Sequence, residues 1–442
     1  MSRSSRQILD MNAFDMTKAE QSANPQLQRR LNNAGALSVL FYQQPIEMHS
    51  ASGAWMHSAD GSAYLDLYNN VPSVGHNHPV VVDAISRQLS QLNTNTRYLN
   101  DTVDAYLERL KATLPPSLDR LILCCTGSEA NDLALRMVEK STGRRGMIVT
   151  ETAYHGNTRA VTEVSPSASK TGFLADHVRA VPAPGSANYG DDVQTGFLAS
   201  VQAAIESLQH SDYGFAGFLA DSIFSSDGVY PEPVGLLEAV STLVRNNGGV
   251  FIADEVQPGF ARTGDAFWGF QRHGITPDIV TMGKPMGNGY PMAGVAASDA
   301  LVREFSVDVG YFNTFGGNTV AAAAGNAVLD VIRDDQLQRN ARDTGAYLLQ
   351  QLQTIASKYH RVREVRGAGL YLGVELCAGD ESASPDAALA THIIEGLRER
   401  KILIGAAGPY GHILKVRPPL CLQPSEADLF LAAFSELIDA MY

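Results

Sequence analysis

The chain has only four cysteines in 442 residues: Cys124, Cys125, Cys377 and Cys421. Their spacings match no zinc pattern. So few cysteines without a framework suit a reducing cytoplasm rather than a disulfide-built fold. Basic charge is also scarce. Lys and Arg number 34 against 47 Asp and Glu, a formal net charge of −13. An acidic surface repels phosphate backbones and anionic membrane faces, which excludes nucleic acid and membrane as expected partners. No apolar run approaches the ~18–20 residues of a membrane span. The polar, mixed-charge stretch Met1 to Arg30 lacks the apolar core of a signal peptide, so a cytoplasmic location is expected. There is no internal repeat. No G-x-G-x-x-G marks a first β-α unit, which argues against a dinucleotide oxidoreductase. Gly75-His-Asn-His-Pro79 offers two histidines, but i, i+2 spacing in a turn reads as structure, and no metal site is expected.

What is present is an ordinary globular composition, 45% hydrophobic and 18% charged. At roughly 100–200 residues per domain the length suggests two or three lobes. Residues 1–35 read as an arm. Residues 36–75 hold a hairpin, with Asp60-Gly61 supplying a turn that tolerates positive φ. Residues 76–330 alternate short apolar runs with helical patterns. The runs are Leu121–Cys125, Gly146–Thr150, Ala216–Ala220, Val250–Asp254, Ile279–Met282 and Ala293–Ala297. Patterns such as Ala130–Lys140 and Gly235–Asn246 predict helices between them. This is the texture of an α/β domain with a mostly parallel central sheet. Residues 331–442 read as a smaller α+β domain, shared with the N-terminal hairpin. It has a long helix from Asp335 to Lys358 and another over Pro385–Arg400. Strands fall near Val365–Leu376 and Ile413–Val416, and a last helix is opened by Ser425-Glu-Ala-Asp428.

Ligands in such sheets sit at the carboxyl ends of the strands. Five segments fall there. Thr126-Gly127-Ser128 opens a helix, whose unpaired N–H groups and partial positive charge suit a phosphate, although a plain N-cap reads the same way. Tyr154-His155-Gly156 follows a strand and places a ring where a flat heteroaromatic could stack. Phe251-Ile-Ala-Asp254-Glu255-Val256-Gln257 runs an apolar strand into two acids. A carboxylate there can hold a protonated pyridine nitrogen, cap a helix or bind a metal. Gly283-Lys284-Pro285 puts one lysine in an apolar, glycine-rich loop. Low polarity favours the neutral amine that Schiff-base chemistry needs. Tyr311-Phe-Asn-Thr314-Phe-Gly316-Gly317 is another Gly/Thr segment ahead of an alanine-rich helix, Ala321–Ala324.

The ordered set resembles the class III aminotransferases, pyridoxal 5′-phosphate (PLP) enzymes of fold type I, from about Gly53 to the C-terminus. The resemblance implies a role for each residue. Gly127 and Ser128 hold the cofactor phosphate. Tyr154 and Val256 pack on its ring, Asp254 pairs with the ring nitrogen, and Gln257 reaches the ring hydroxyl. Lys284 forms the Schiff base and shuttles the proton. Thr314 reaches the cofactor phosphate of a partner subunit, which implies a homodimer and leaves room for a homotetramer. Gly283-Lys-Pro-Met-Gly-Asn-Gly289, Leu92-Asn-Thr-Asn-Thr-Arg97 and Lys415-Val-Arg-Pro-Pro-Leu420 are similar to the branch holding ethanolamine-phosphate phospho-lyases. Arg417, in that last motif, and Asp221 form the expected substrate pair. In related aminotransferases such an arginine is released from an acidic partner to grip a carboxylate with its planar fork. The expected reaction is transfer of an amino group from a small amine or amino acid to a keto acid, pyruvate or 2-oxoglutarate. The alternative is elimination of phosphate and ammonia from a phosphorylated amino alcohol such as O-phosphoethanolamine.

Overall fold

The computed structural model describes residues 8, 10–22, 24–380 and 383–441. A seven-stranded sheet forms its centre. In spatial order the strands are Arg120–Cys124, Ala293–Ala297, Ile279–Met282, Val250–Asp254, Phe215–Asp221, Gly146–Thr150 and Val178–Val181. The last five pair in parallel. Only Ala293–Ala297 runs against its neighbours. The inner strands are apolar along their length because helices cover both faces. All six runs read as strands from the sequence form strands, shifted by at most one residue at an end. Val178–Val181 was not foreseen. It is a short edge strand of four residues, and its half-buried Arg179 breaks the apolar run.

Helices Gly127–Thr142, Val193–Gln209 and Leu236–Asn246 pack on this sheet. Helix Thr319–Asp334 buries twelve residues, the alanine run among them. It packs closely on Asp101–Lys111, because Gly325 lies against Tyr106 and a Cβ there would meet the ring at 2.4 Å.

Two smaller sheets flank the centre. Val362–Ala368, Tyr371–Leu376, Ile413–Val416 and Gly405–Ala407 form an antiparallel sheet. Trp55–Ser58 and Ala63–Asp66 form the expected hairpin, with Gly61 at φ +85° in its turn. A strand missed in the sequence, Met48–Ser52, pairs with it, and Ile402–Leu403 joins in parallel. Met48–Ser52 escaped notice because it is polar and half exposed. The C-terminal segment thus completes the N-terminal sheet.

Residues 1–7, 9 and 23 of the expected arm lie outside the described residues. The rest of that stretch is more ordered than an arm. It holds helix Pro25–Ala34, capped by Asn24, whose side chain accepts from Gln26 and Leu27 N–H at 3.0 and 3.1 Å. The last helix, Pro424–Asp439, begins one residue before the expected Ser425. Its cap is Gln423, whose N–H donates to Glu426 Oε2 at 2.8 Å. Among the described residues no helix is long and apolar enough to cross a membrane.

Glu426 has a second partner: Trp55 Nε1 donates to its Oε1 at 2.6 Å. One carboxylate therefore ties the hairpin to the last helix. Glu426→Ala should cost about 1–2 kcal/mol, read as a lower urea midpoint, and Glu426→Gln should recover most of it.

Candidate functional site

Every strand of the large sheet except Ala293–Ala297 points its carboxyl end the same way. A cavity of about 330 Å³ opens there. It is lined by Gly127, Ser128, Tyr154, Asp221, Asp254, Val256, Gln257 and Lys284, eight of the ten residues singled out from the sequence. They come from five separate segments, brought together by the sheet.

The helix start at Gly127 is shaped for close approach. Thr126 Oγ1 accepts from Glu129 N–H at 3.1 Å, and Glu129 Oε2 accepts from Thr126 and Cys125 N–H at 3.0 and 2.7 Å. That capping box leaves the N–H groups of Gly127 and Ser128 without an acceptor among the described residues. A Cβ on Gly127 would meet Val256 Cγ2 at 3.0 Å. Ser128 Oγ accepts from Asn157 N–H at 3.1 Å. Gly156, at φ +143°, lies so near that a Cβ would sit 2.4 Å from Ser128 Oγ.

Asp254 ends its strand with a buried carboxylate. Its Oδ1 accepts from Val256 N–H at 3.1 Å. Its Oδ2 receives Asn131 Nδ2 at 3.0 Å and lies 2.7 Å from His155 Nδ1. Burying a charge is costly unless donors surround it, and these three do so. Lys284 follows strand Ile279–Met282 in a tight turn at φ +30°, a left-handed conformation that lysine rarely adopts. Its side chain keeps partial exposure into the cavity. Nζ has no hydrogen-bond partner among the described residues. Burial, then the nearby Arg417, pulls its pKa from 10.5 down to about 8, against the opposing fields of Asp254 and Asp221.

No ion pair joins Arg417 and Asp221 among the described residues. Asp221 receives Ile223 N–H at 3.0 Å and the Ser225 hydroxyl, so its short side chain is already engaged within its own loop. Burial raises its pKa to about 6. Arg417 binds neutral groups instead. Its Nε and Nη2 donate to Tyr68 O at 3.0 and 2.9 Å, and Nη1 donates to Gln257 Oε1 and to Tyr371 OH, the latter at 3.3 Å. Gln257 Oε1 also accepts from Tyr371 OH at 3.2 Å and Asn70 Nδ2 at 3.3 Å, so its carbonyl is occupied. Thr314 stands apart from the cavity. It is exposed between Phe312 and Phe315, themselves 43% and 70% exposed. His76 and His78 turn to different acids, Asp66 and Asp335, and no metal-ligating cluster occurs among the described residues.

Two residues escaped the sequence reading. Asn131 sits on the buried face of helix Gly127–Thr142 beside Ala130 and Ala134. A polar amide on an apolar helix face was the available signal. Lys415 lies two residues before Arg417 and is buried, yet its amine has no hydrogen-bond partner among the described residues. Burial, then Arg417, holds its pKa well below the ordinary lysine value. A lone lysine between apolar strand residues was its signal.

This donor set fits a phosphorylated heteroaromatic aldehyde. Free N–H groups at a helix start suit the phosphate, the buried Asp254 suits a ring cation, and the unpartnered amine of low basicity suits the aldehyde.

The comparisons with known proteins agree. The family model described as "Aminotransferase class-III" matches residues 41–438. The chain is 35% identical over 443 residues to "Alanine--glyoxylate aminotransferase 2-like" of Drosophila melanogaster, covering 97% of this chain and 90% of that protein. It is 35% identical over 446 residues to "Ethanolamine-phosphate phospho-lyase homolog 1" of Caenorhabditis elegans, covering 96% and 95%. A solved phospholyase from Arthrobacter, in complex with phosphoethanolamine, is 43% identical. It superposes with a TM-score of 0.91 over 94% of this chain and 99% of its own. The chain belongs to the class III aminotransferase family, with that family's fold and its dependence on pyridoxal 5′-phosphate.

Proposed function

We propose that this enzyme is a transaminase that moves an amino group from a small amine or amino acid to a keto acid, pyruvate or 2-oxoglutarate. The observation that carries the reading is Lys284: an amine without a partner among the described residues, of lowered basicity, in a cavity shared with a buried carboxylate. When bound, pyridoxal 5′-phosphate supplies an electrophilic carbon and a ring that takes up negative charge. The chain supplies the rest. Gly127 and Ser128 hold the phosphate with their free N–H groups. Asp254 keeps the ring nitrogen protonated, and Tyr154 and Val256 pack on the ring. Lys284 Nζ would hold the cofactor's aldehyde and, with no competing partner among the described residues, is the base placed to take a proton from the substrate carbon and to give one back. Gln257 reaches the ring hydroxyl through its amide nitrogen, since its oxygen is held by Arg417.

Lys415 and Arg417 share one strand face, as alternate residues of Ile413–Val416 and its continuation. Arg417 is committed to Gln257, Tyr371 and Tyr68, so Lys415, whose amine has no partner among the described residues, is the group left to receive the substrate's anionic group, which would draw a proton onto it. Asp221 beside it disfavours a second anion. Thr314, exposed among apolar residues that include Leu99 at 98%, suits a surface that a second copy would cover. A cytoplasmic homodimer, with Thr314 serving the partner's cofactor, completes this reading.

A second reading, phospho-lyase, has an observation of its own. An unpartnered buried lysine serves a phosphate as well as a carboxylate, and the Arthrobacter phospholyase is 43% identical over nearly the whole chain. Incubation of the loaded enzyme with O-phosphoethanolamine, without keto acid, separates the two. No inorganic phosphate should appear; sustained release would make elimination the reaction.

Lys284→Ala should lower turnover by at least about 10³-fold. In the apoenzyme, labelling of Lys284 by pyridoxal 5′-phosphate and borohydride should follow the neutral amine. Because the pKa is lowered, the rate should rise through a midpoint near pH 8. A midpoint above 10 would place the amine outside the cavity's field. Lys415→Met should raise KM for the keto acid about tenfold or more, with a smaller effect on KM for an uncharged amine.

A further inference from the structure

The Asp254 carboxylate depends on groups from outside its own strand. Asn131 Nδ2 donates to Asp254 Oδ2 at 3.0 Å and to the His155 carbonyl at 2.8 Å. Asn131 Oδ1 accepts from Thr281 Oγ1 at 2.7 Å. Both amide hydrogens and one lone pair are therefore used, on a side chain only 1% exposed.

The orientation of this amide is determined by its partners. Asp254 and the His155 carbonyl are both acceptors. A flipped amide would set Oδ1 against the carboxylate and leave two acceptors facing an oxygen. Thr281 is the one neighbour that can donate, and it meets the oxygen. The same logic fixes His155. Its Nδ1 must donate to Asp254, and Nε2 stays buried without a partner among the described residues. Asp221 and Asp227 also act on this ring through their fields.

One amide thus joins four segments: the helix that starts at Gly127, the loop bearing Tyr154, the strand ending in Asp254, and the strand Ile279–Met282 that leads to Lys284. We propose that Asn131, oriented by Thr281, is a positioning residue that holds the Asp254 carboxylate in place toward the cofactor ring. The inference rests on the reading that Asp254 faces the ring nitrogen. Asn131 does not touch the cofactor; it acts through Asp254. With Asn131 removed, Oδ2 loses one of its two donors and the carboxylate is free to turn from the ring. The ring nitrogen then holds its proton less firmly. A ring without that charge withdraws fewer electrons, so the adduct at Lys284 becomes more basic.

The readouts are cofactor affinity of the apoenzyme and the pH midpoint of the bound cofactor's visible absorption band. Asn131→Leu should weaken cofactor binding about tenfold and raise the midpoint by about one unit, the scale of one lost hydrogen bond to a charge. Thr281→Val should move both in the same direction by less, and Thr281→Ser, which keeps the hydroxyl, should restore them. The Thr281 pair keeps the test decisive if Asn131→Leu does not fold. Asp254→Ala is the control for the underlying reading. If it leaves the band unmoved, that reading falls and this inference with it. If Asp254→Ala shifts the midpoint while Asn131→Leu and Thr281→Val change only thermal stability, Asn131 is a packing residue and the inference alone is overturned.

Discussion

The site depends on one electrostatic problem, keeping a charged carboxylate at the buried end of a central strand. Asp254 is 4% exposed, and an ion so far from water is tolerated only when donors replace its hydration. Three side-chain and backbone donors do this, from a helix, a loop and the turn that follows its own strand. Meeting that requirement forces helix Gly127–Thr142 and the Tyr154-His155 loop to converge on the strand end. The same convergence brings the free N–H groups of Gly127 and Ser128 beside the cavity. The free N–H groups of the helix start and the carboxylate are therefore one piece of architecture.

Around this anion the enclosure works on the opposite charge. Lys284 and Lys415 are both disfavoured as cations, first by burial and then by Arg417. The lowered basicity of Lys284 is a consequence of that crowding. Lysine suits the task because its pKa moves readily on burial, whereas the guanidinium of Arg417 stays charged. Arg417 is instead fastened to Tyr68 O, Gln257 and Tyr371, where it supplies a fixed positive field. A carbonyl and two neutral side chains accept from it without cancelling its charge.

Much of this was legible in order along the chain. Apolar runs ending in polar or glycine-rich turns marked the strand ends, because a buried strand must leave the core where its ligand site opens. Gly127, Asp254 and Lys284 were each readable for that reason, and the cavity brings them together. What escaped was set by contacts between distant segments. Asn131 looks like any amide in a helix until Asp254, 123 residues later, is placed against it. Arg417 and Asp221 were both read as substrate residues, yet a neighbouring hydroxyl and N–H already engage Asp221. Met48–Ser52 and Val178–Val181 escaped for a related reason. Edge strands carry little hydrophobic pattern, and only their neighbours make them strands.

The sequence by itself determined the alternation of strands and helices, the polar breaks at their ends and the residue types available there. Those follow from local periodicity and turn chemistry, which need no knowledge of distant partners. The tertiary structure alone decided which groups would be satisfied and which left free. It occupied Arg417 and Gln257 with each other, left Lys284 and Lys415 without partners among the described residues, and set Thr314 on the surface. Hydrogen bonds and desolvation depend on what lies within a few ångströms, and here those neighbours come from segments far apart in the chain.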